Sequence, residues 1–248
     1  MTLSAERIKL TTTRSPLWSA IGVVVLSLLF AVIQAAAANY SEQPLTPQRA
    51  ALGVSMFGVP VLMIVAALTV TGEYRTGLIR TTFMATPNRT RVLLEKAFVS
   101  AVFAGALTVV TVLAAIVVAR MRTGGVTGAE LTLTQSAAWR PVAMIGLYAV
   151  LGAVLAVGLA AVLRNSAGVT ALLLMTPFVI EPLLGSTPNV GEHVGPLLPF
   201  ANAFTFAEVP FVGIYQMWWG PTGALLYFTA VVAAVFLAGV VAVNRRDP

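Results

Sequence analysis

Residues 17–38, with the sequence LWSAIGVVVLSLLFAVIQAAAA, form an uncharged apolar stretch long enough to cross a lipid bilayer as a helix. The hydrocarbon core of a bilayer needs about 20 mainly apolar residues per helix. Five further stretches satisfy the same requirement, at 50–71, 92–119, 141–163, 167–185 and 221–243. The sequence therefore predicts an all-α integral membrane protein in which six transmembrane helices form one domain over residues 1–248.

The composition of the chain indicates that lipid is its solvent. Apolar residues make up 58% of the chain and charged residues 10%, whereas soluble domains have roughly 45–50% and 25%. The chain has no cysteine and a single histidine, His193, which excludes disulfides, thiolate metal sites and multi-histidine metal sites. A net charge of +6 is also found in nucleic-acid-binding proteins, but the basic residues here flank the apolar stretches. That placement is typical of membrane topology signals, so we expect no nucleic-acid partner.

The positions of lysine and arginine predict the orientation of the helices. Basic residues near the ends of a span resist translocation, so cytoplasmic loops hold most of them. With the N-terminus inside, eleven basic residues fall in cytoplasmic segments and four in outer segments, the four being Arg49, Arg120, Arg122 and Arg140. We therefore expect a multi-pass protein of the plasma membrane with both termini in the cytoplasm.

The first apolar stretch has an alternative interpretation as a secretory signal peptide. The basic start, the apolar run and the residues Ala35, Ala36 and Ala37 resemble a signal peptide with its cleavage site. The apolar core of a signal peptide has about 7–15 residues, however, and this run is longer. Cleavage would leave the other helices and their orientation unchanged.

Segment 72–91, between the second and third spans, is longer than the reversal of chain direction requires, since such connections have about 2–8 residues. Apolar residues at helical spacing predict a short amphipathic helix within it, which Pro87 then ends. The apolar residues are Leu78, Ile79, Phe83 and Met84, and Glu73, Arg75 and Arg80 point elsewhere. A helix at the cytosolic surface that is joined to two membrane helices can transmit the movement of a soluble partner to those helices. The alternative is a solvated basic loop that only enforces topology.

Residues 3–14 carry a second amphipathic pattern, with apolar side chains on one side and charged ones on the other. Ser4 is a plausible N-cap for a helix there. We expect this helix to lie in the headgroup plane, with Lys9 and Arg14 near anionic lipid and Pro16 at the turn into the bilayer.

Several short stretches of the chain carry a family resemblance. They are 14–18 (RSPLW), 72–80 (GEYRTGLIR), 89–93 (RTRVL) and 163–168 (LRNSAG). In this order, over essentially the whole chain, they resemble the ABC-2 type permeases, the membrane subunits of ABC exporters; residues 73–75 are the most specific part. The resemblance implies a dimer of six-helix subunits, each with an N-terminal elbow helix (3–14) and a coupling helix (within 72–91) that contacts a nucleotide-binding subunit.

The resemblance also implies site residues and partners. The residues expected to couple the chain to an ATPase are Glu73, Tyr74, Arg75, Gly77 and Arg80 in the coupling segment, and Arg164 in the second cytoplasmic turn. The expected partners are an ABC ATPase subunit, a second permease subunit that is identical or similar, and membrane lipid.

Motifs that would let the chain act as an enzyme by itself are missing from the sequence. A phosphate-binding loop of the form GxxxxGK[ST] needs a lysine after a glycine pattern, and neither Lys9 nor Lys96 follows one. The GxSxG and HExxH motifs are also missing. We therefore expect no enzymatic activity and no cofactor in this chain, with ATP and magnesium bound by the partner subunit.

Glu181 is the one ionisable residue that we expect at membrane depth, in the outer part of the fifth span. It is either a polar group facing an outward-opening substrate path or an interfacial carboxylate beyond the true end of the helix. The outer segment 186–220 is too apolar to be a free loop, and Trp218 and Trp219 suit the headgroup belt. The resemblance implies short re-entrant helices here.

Together these features predict the permease subunit of an ATP-driven ABC exporter, which moves an amphipathic, lipid-like or drug-like compound out of the cell. The scarcity of charge in the spans weighs against an ion-driven pump. An ion-gradient-driven transporter or channel remains the first alternative, and a membrane scaffold without cargo is the second.

Overall fold

The fold is described by a computed structural model that covers residues 14–134, 136–210 and 217–246. Helices dominate these residues, and no β-strand occurs within these ranges. The elbow helix predicted for 3–14 lies outside the described residues, apart from Arg14, where the first helix begins.

Eleven α-helices are numbered here in chain order. They are α1 (Arg14–Ser41), α2 (Pro47–Ala50), α3 (Val59–Thr76), α4 (Leu78–Ala85), α5 (Arg89–Arg122), α6 (Ser136–Leu163), α7 (Ser166–Met175), α8 (Glu181–Ser186), α9 (Val190–Val194), α10 (Pro199–Phe206) and α11 (Pro221–Arg245). Two π-helical segments, Val54–Gly58 and Thr176–Ile180, lead without a break into α3 and α8.

Six helical segments of the described residues are long and apolar enough to cross a membrane, which confirms the predicted number of spans and a multi-pass membrane protein. They are Leu17–Ser41, Val54–Thr76, Arg89–Arg122, Ala138–Leu163, Ser166–Ser186 and Pro221–Arg245. Their ends differ from the predicted ends mainly around segment 72–91. There α3 continues to Thr76, and α5 begins at Arg89 because Asn88 caps it by accepting a hydrogen bond from the Arg91 N–H at 3.0 Å.

The central helices of the bundle are α3 and α6. In their most apolar parts 72% and 61% of the residues are buried, against 22% in each of the first, fifth and sixth spans. Gly158 of α6 lets α11 approach closely, since a Cβ atom there would lie 2.8 Å from the Phe236 Cα. The outer spans therefore present most of their apolar side chains outward, as helices do in lipid.

The spans alternate in direction, which gives the bundle two ends. At one end, here called the Glu73 end, α3, α6 and α11 finish and α1, α5 and α7 begin. The hydrogen bond from the Ser166 hydroxyl to the Thr71 hydroxyl, at 2.9 Å, lies at this end. At the opposite end, the Glu181 end, the Asn39 amide donates to the Arg122 carbonyl at 2.8 Å. Both termini of the described bundle, Arg14 and Arg246, thus lie at the Glu73 end.

Candidate functional site

The predicted coupling segment 72–91 is the end of one membrane helix, a separate short helix and the start of another, and not a single loop. The short helix, α4, is amphipathic, as the apolar spacing predicted. Ile79 is buried and Phe83 is half-buried, whereas Leu78 and Met84 are exposed. The helix therefore packs on the bundle through Ile79 and Phe83 and leaves the other two apolar side chains on its outer side.

Glu73 lies in a buried ion pair. Its Oε1 accepts a hydrogen bond from the Lys96 Nζ at 2.8 Å, and the two side chains are only 8% and 1% exposed. Lys96 Nζ also donates to the Thr69 carbonyl at 3.2 Å, and Glu73 Oε2 accepts from the Thr82 hydroxyl at 3.3 Å. Because these residues belong to α3, α5 and α4, one charge pair joins the amphipathic helix to two membrane helices.

Lys96 is a site residue that was not predicted from the sequence. Glu181 was the one ionisable residue expected at membrane depth, but the structure also buries Glu73, Glu95 and Lys96 within helices at the Glu73 end. Lys96 is one of two lysines in the chain and lies in the apolar stretch 92–119. A lysine in such a stretch must pair with a carboxylate, so a search for charge at the start of each span could have found it.

Tyr74 and Arg164, which were predicted from separate segments, lie in contact. The Arg164 guanidinium lies 4.7 Å from the centre of the Tyr74 ring, a cation–π arrangement. Its Nη2 donates to the carbonyls of Ala242 and Arg246, each at 3.2 Å. Arg164 has a left-handed backbone (φ 53°) where α6 ends, and this turn directs the chain into α7. The contact therefore joins α3, α6 and the end of α11.

Arg89 binds the same end of α11 as Arg164 does. Its Nη1 donates to the Val243 carbonyl at 3.0 Å and to the Arg246 carbonyl at 3.2 Å, and its guanidinium lies over the Phe83 ring of α4 at 5.2 Å. The last carbonyls of a helix lack intrahelical partners and carry partial negative charge, so cations stabilise them. Arginines that were expected to face the cytosol as topology signals thus also bind the C-terminal end of α11 to the other helices.

Arg75 and Arg80 remain on the outside. Both are exposed, and together with the exposed Leu78 and Met84 they form what is here called the α4 surface. The Arg75 guanidinium makes no hydrogen bond or ion pair with the part of the chain that the structure describes. The α4 surface combines two cationic groups with apolar area, a combination common in protein interfaces.

Gly77 forms the turn between α3 and α4. Its φ of +73° is a left-handed conformation, and its N–H donates to the Tyr74 carbonyl at 3.3 Å to end α3. An L-residue pays for this conformation with a steric clash, whereas glycine adopts it freely. The predicted site residue Gly77 therefore fixes the angle between the two helices.

Replacing Gly77 by alanine is expected to lower the free energy of unfolding by about 1–2 kcal/mol, because the side chain disfavours the left-handed backbone. Gly72→Ala is the matched control, since Gly72 lies in α3 with free space around it and alanine is the better helix former. Denaturation in mixed detergent micelles measures the free energy of unfolding of both variants. Equal effects of the two substitutions would contradict a conformational role for Gly77.

Glu181 is bound by backbone amides at the opposite end of the bundle. Its Oε1 accepts from the Phe200 N–H at 2.8 Å and its Oε2 from the Ala201 N–H at 2.7 Å, and the residue is 2% exposed. The carboxylate thus caps the N-terminus of α10, where free N–H groups and the helix dipole favour negative charge. The helix continues through Glu181 to Ser186, so this residue does not lie beyond the helix end as the alternative interpretation held. A role in a substrate path stays a prediction.

The segment before the last span contains the short helices α9 and α10, and their re-entry into the membrane stays a prediction. The buried Asn202 of α10 donates to the carbonyls of Pro196 and Leu198, both at 2.8 Å, and accepts from the Trp219 indole N–H at 2.7 Å. Below it, the Tyr148 ring of α6 packs among phenylalanines of α10 and α11. They are Phe204, Phe206 and Phe228, at centroid distances of 6.0, 6.5 and 6.2 Å. These contacts hold α10 and the segment before it against the bundle.

The arrangement therefore offers a buried charge pair beneath an exposed basic and apolar surface at one end, and an anchored group of short helices at the other. Among the residues that the structure describes, no group of three or more His, Cys, Asp or Glu side chains could hold a metal ion. Comparison with known proteins assigns no family, since no family model matches this sequence and no curated protein matches it.

Proposed function

We propose that this chain is the permease subunit of an ABC exporter, which carries an amphipathic, lipid-like or drug-like compound out across the plasma membrane. A separate ATPase subunit binds the α4 surface and supplies ATP hydrolysis with its own ATP and magnesium, and a second permease subunit completes the path. The observation that carries this proposal is the Glu73–Lys96 pair, which ties α4 to the membrane helices α3 and α5.

The connection of α4 suits the transmission of force. Gly77 fixes its angle to α3, Glu73 and Thr82 link its inner side to Lys96 of α5, and the Arg89 guanidinium lies over Phe83. A force on the α4 surface would move α3 and α5 with it, because separating the buried Glu73–Lys96 pair would leave uncompensated buried charges, which is costly. A loop that only enforces topology needs none of these contacts.

The distribution of charge supports a cytosolic position for the Glu73 end. Of the described basic residues, Arg49, Arg120, Arg122 and Arg140 lie at the Glu181 end, and the others lie at the Glu73 end. Cytoplasmic loops of membrane proteins hold the excess of lysine and arginine. Both termini would then be cytoplasmic, and α4 would face the compartment that contains ATP.

An amphipathic cargo fits the nature of the bundle better than an ion does. The buried charges among the described residues are engaged towards the two ends of the bundle: Glu73 with Lys96, Glu95 with Arg91, and Glu181 with backbone amides. Ion-coupled transporters place such groups along a path near the middle of the membrane. The outward apolar faces of the first, fifth and sixth spans leave room for lipid-like compounds and for a second permease subunit.

The test is to purify the tagged chain from membranes of its native host and to measure ATP hydrolysis in the purified sample. We expect ATPase activity with the natural chain and a loss of about tenfold or more with Arg75→Glu/Arg80→Glu, because like charges placed across an interface cost several kcal/mol. Arg122→Glu, at the opposite end of the bundle, is the matched control and should keep the activity.

Two results would contradict the proposal. One is a purified natural chain that carries no ATPase activity at any yield. The other is labelling of Arg75→Cys in intact cells by a maleimide that cannot cross membranes, which would place α4 outside. The natural chain has no cysteine, so a single introduced thiol reports its position without background.

A further inference from the structure

A cavity lies at the Glu181 end of the bundle, between the last turns of α1, the connection 42–45 and the short helix α2. Its volume is about 80 Å³. A single water needs roughly 10–15 Å³ measured in this way, so the cavity has room for a phosphate group. Its polar lining comes from Gln34, Ser41, Gln43 and Arg49, and its apolar lining includes Ala37.

Three of these polar side chains lack a partner among the residues that the structure describes. The side chains of Gln34, Gln43 and Arg49 make no hydrogen bond or ion pair with any residue in the described ranges. Gln34 lies inside the first span, where an unsatisfied amide is costly because the bilayer supplies no hydrogen bonds. One guanidinium and two amides therefore converge on an open cavity with their donors unused.

Two of the three other arginines at this end, Arg140 and Arg120, are engaged by the chain itself. The Arg140 guanidinium pairs with Glu208 at 2.8 Å, and the Arg120 guanidinium donates to the Gly128 carbonyl. Glu42, the acidic residue next to the cavity in sequence, is exposed and does not line it. The cavity lining therefore carries the positive charge of Arg49, and none of the described lining residues is acidic.

An exposed apolar stripe of α1 leads into the cavity from the membrane side. Leu29, Ile33 and Ala37 are spaced four residues apart, so they lie above one another on one face of the helix, and all three are exposed. Ala37 also lines the cavity. Acyl chains that lie along this stripe would bring a lipid headgroup to Arg49 and Gln34.

We propose that this cavity binds the phosphodiester headgroup of an anionic phospholipid, whose acyl chains lie along the Leu29–Ile33–Ala37 face. The Arg49 guanidinium donates charge-assisted hydrogen bonds to the phosphate oxygens, and the Gln34 and Gln43 amides donate further ones. A choline headgroup would bring its own cation next to Arg49, so the site favours lipids without one. This site stands apart from the proposed export function, and each can fail without the other.

The test is native mass spectrometry of the full chain in detergent with added dioleoyl-phosphatidylglycerol or dioleoyl-phosphatidylcholine. We expect a bound phosphatidylglycerol that is retained in preference to phosphatidylcholine. Arg49→Gln should weaken its binding about tenfold, because a charge-assisted contact is lost. Arg122→Gln removes another exposed arginine from the same end without touching the cavity, and it should leave the binding unchanged.

Further arms separate the possible outcomes. Equal losses from Arg49→Gln and Arg122→Gln would overturn the proposal, since the attraction would then be diffuse charge. Equal retention of both lipids would also overturn it. Competition by glycerol phosphate as strong as that by phosphatidylglycerol would contradict the lipid part, because acyl chains would add nothing. Gln34→Leu keeps the charge and the helix, and it should weaken phosphatidylglycerol binding to a smaller extent than Arg49→Gln does.

Discussion

Lys96→Met is expected to lower the free energy of unfolding by about 3–5 kcal/mol, because it leaves the Glu73 carboxylate buried without its cation. The same change removes the link between α5 and α4, so we also expect a loss of ATPase coupling if the proposed function holds. Titration of the purified chain with a denaturing detergent measures the stability. The double variant Glu73→Gln/Lys96→Met should recover part of the loss, because it buries no unpaired charge.

Arg75→Met is the matched control for this prediction. Arg75 also lies at the Glu73 end of the bundle, but it is exposed, and its guanidinium makes no hydrogen bond or ion pair with the described residues. Surface substitutions usually change the free energy of unfolding by less than about 0.5 kcal/mol, so the control should have a small effect. A Lys96→Met variant as stable as Arg75→Met would contradict a structural role for the buried pair.

Glu181→Ala is expected to lower the free energy of unfolding by about 3 kcal/mol, because the buried N–H groups of Phe200 and Ala201 lose their acceptor. The N-terminus of α10 would then separate from α8. Glu181→Gln retains one oxygen acceptor and should have an intermediate effect. The reaction of a thiol at position 201 with maleimide measures the release of α10 directly, and it should become faster in the Glu181→Ala background.

The control for Glu181 is Glu192→Ala, which removes an exposed carboxylate from α9 in the same group of short helices. Its effect should lie within about 0.5 kcal/mol, as for surface substitutions in general. If both variants release α10 to the same degree, the carboxylate of Glu181 is not what holds it.

The membrane helices could be predicted from the sequence because each is a local pattern. An apolar run of sufficient length forms a helix in lipid, because only a helix satisfies all its backbone hydrogen bonds within the segment. It can therefore be predicted without knowing which residues lie next to it in the fold. The turn at Gly77 and the helix start at Asn88 are also local, since one needs a left-handed backbone and the other a capping side chain. The second span was nevertheless predicted to end at Thr71, whereas α3 continues to Thr76. A membrane helix can extend beyond the hydrocarbon core where polar side chains of the bundle contact it.

The partners of the charged residues could not be predicted in the same way. Glu73 and Lys96 are 23 residues apart, and Glu181 binds amides 19 and 20 residues further along. No sequence periodicity links such positions. Which residues pair therefore depends on which helix faces are in contact in the bundle. The exposure of Leu78 and Met84 could not be predicted for the same reason. The spacing of apolar residues identifies an apolar face of the helix, but it does not show which of these residues pack against the bundle.

The carbonyls that Arg89 and Arg164 bind belong to residues 242–246, at the end of the sixth span. Domains assemble during translation from the N-terminal side, so these bonds cannot form before α11 has left the ribosome. The five earlier spans therefore enter the membrane before these bonds exist. Assembly of the Glu73 end is completed only when α11 packs against α5 and α6.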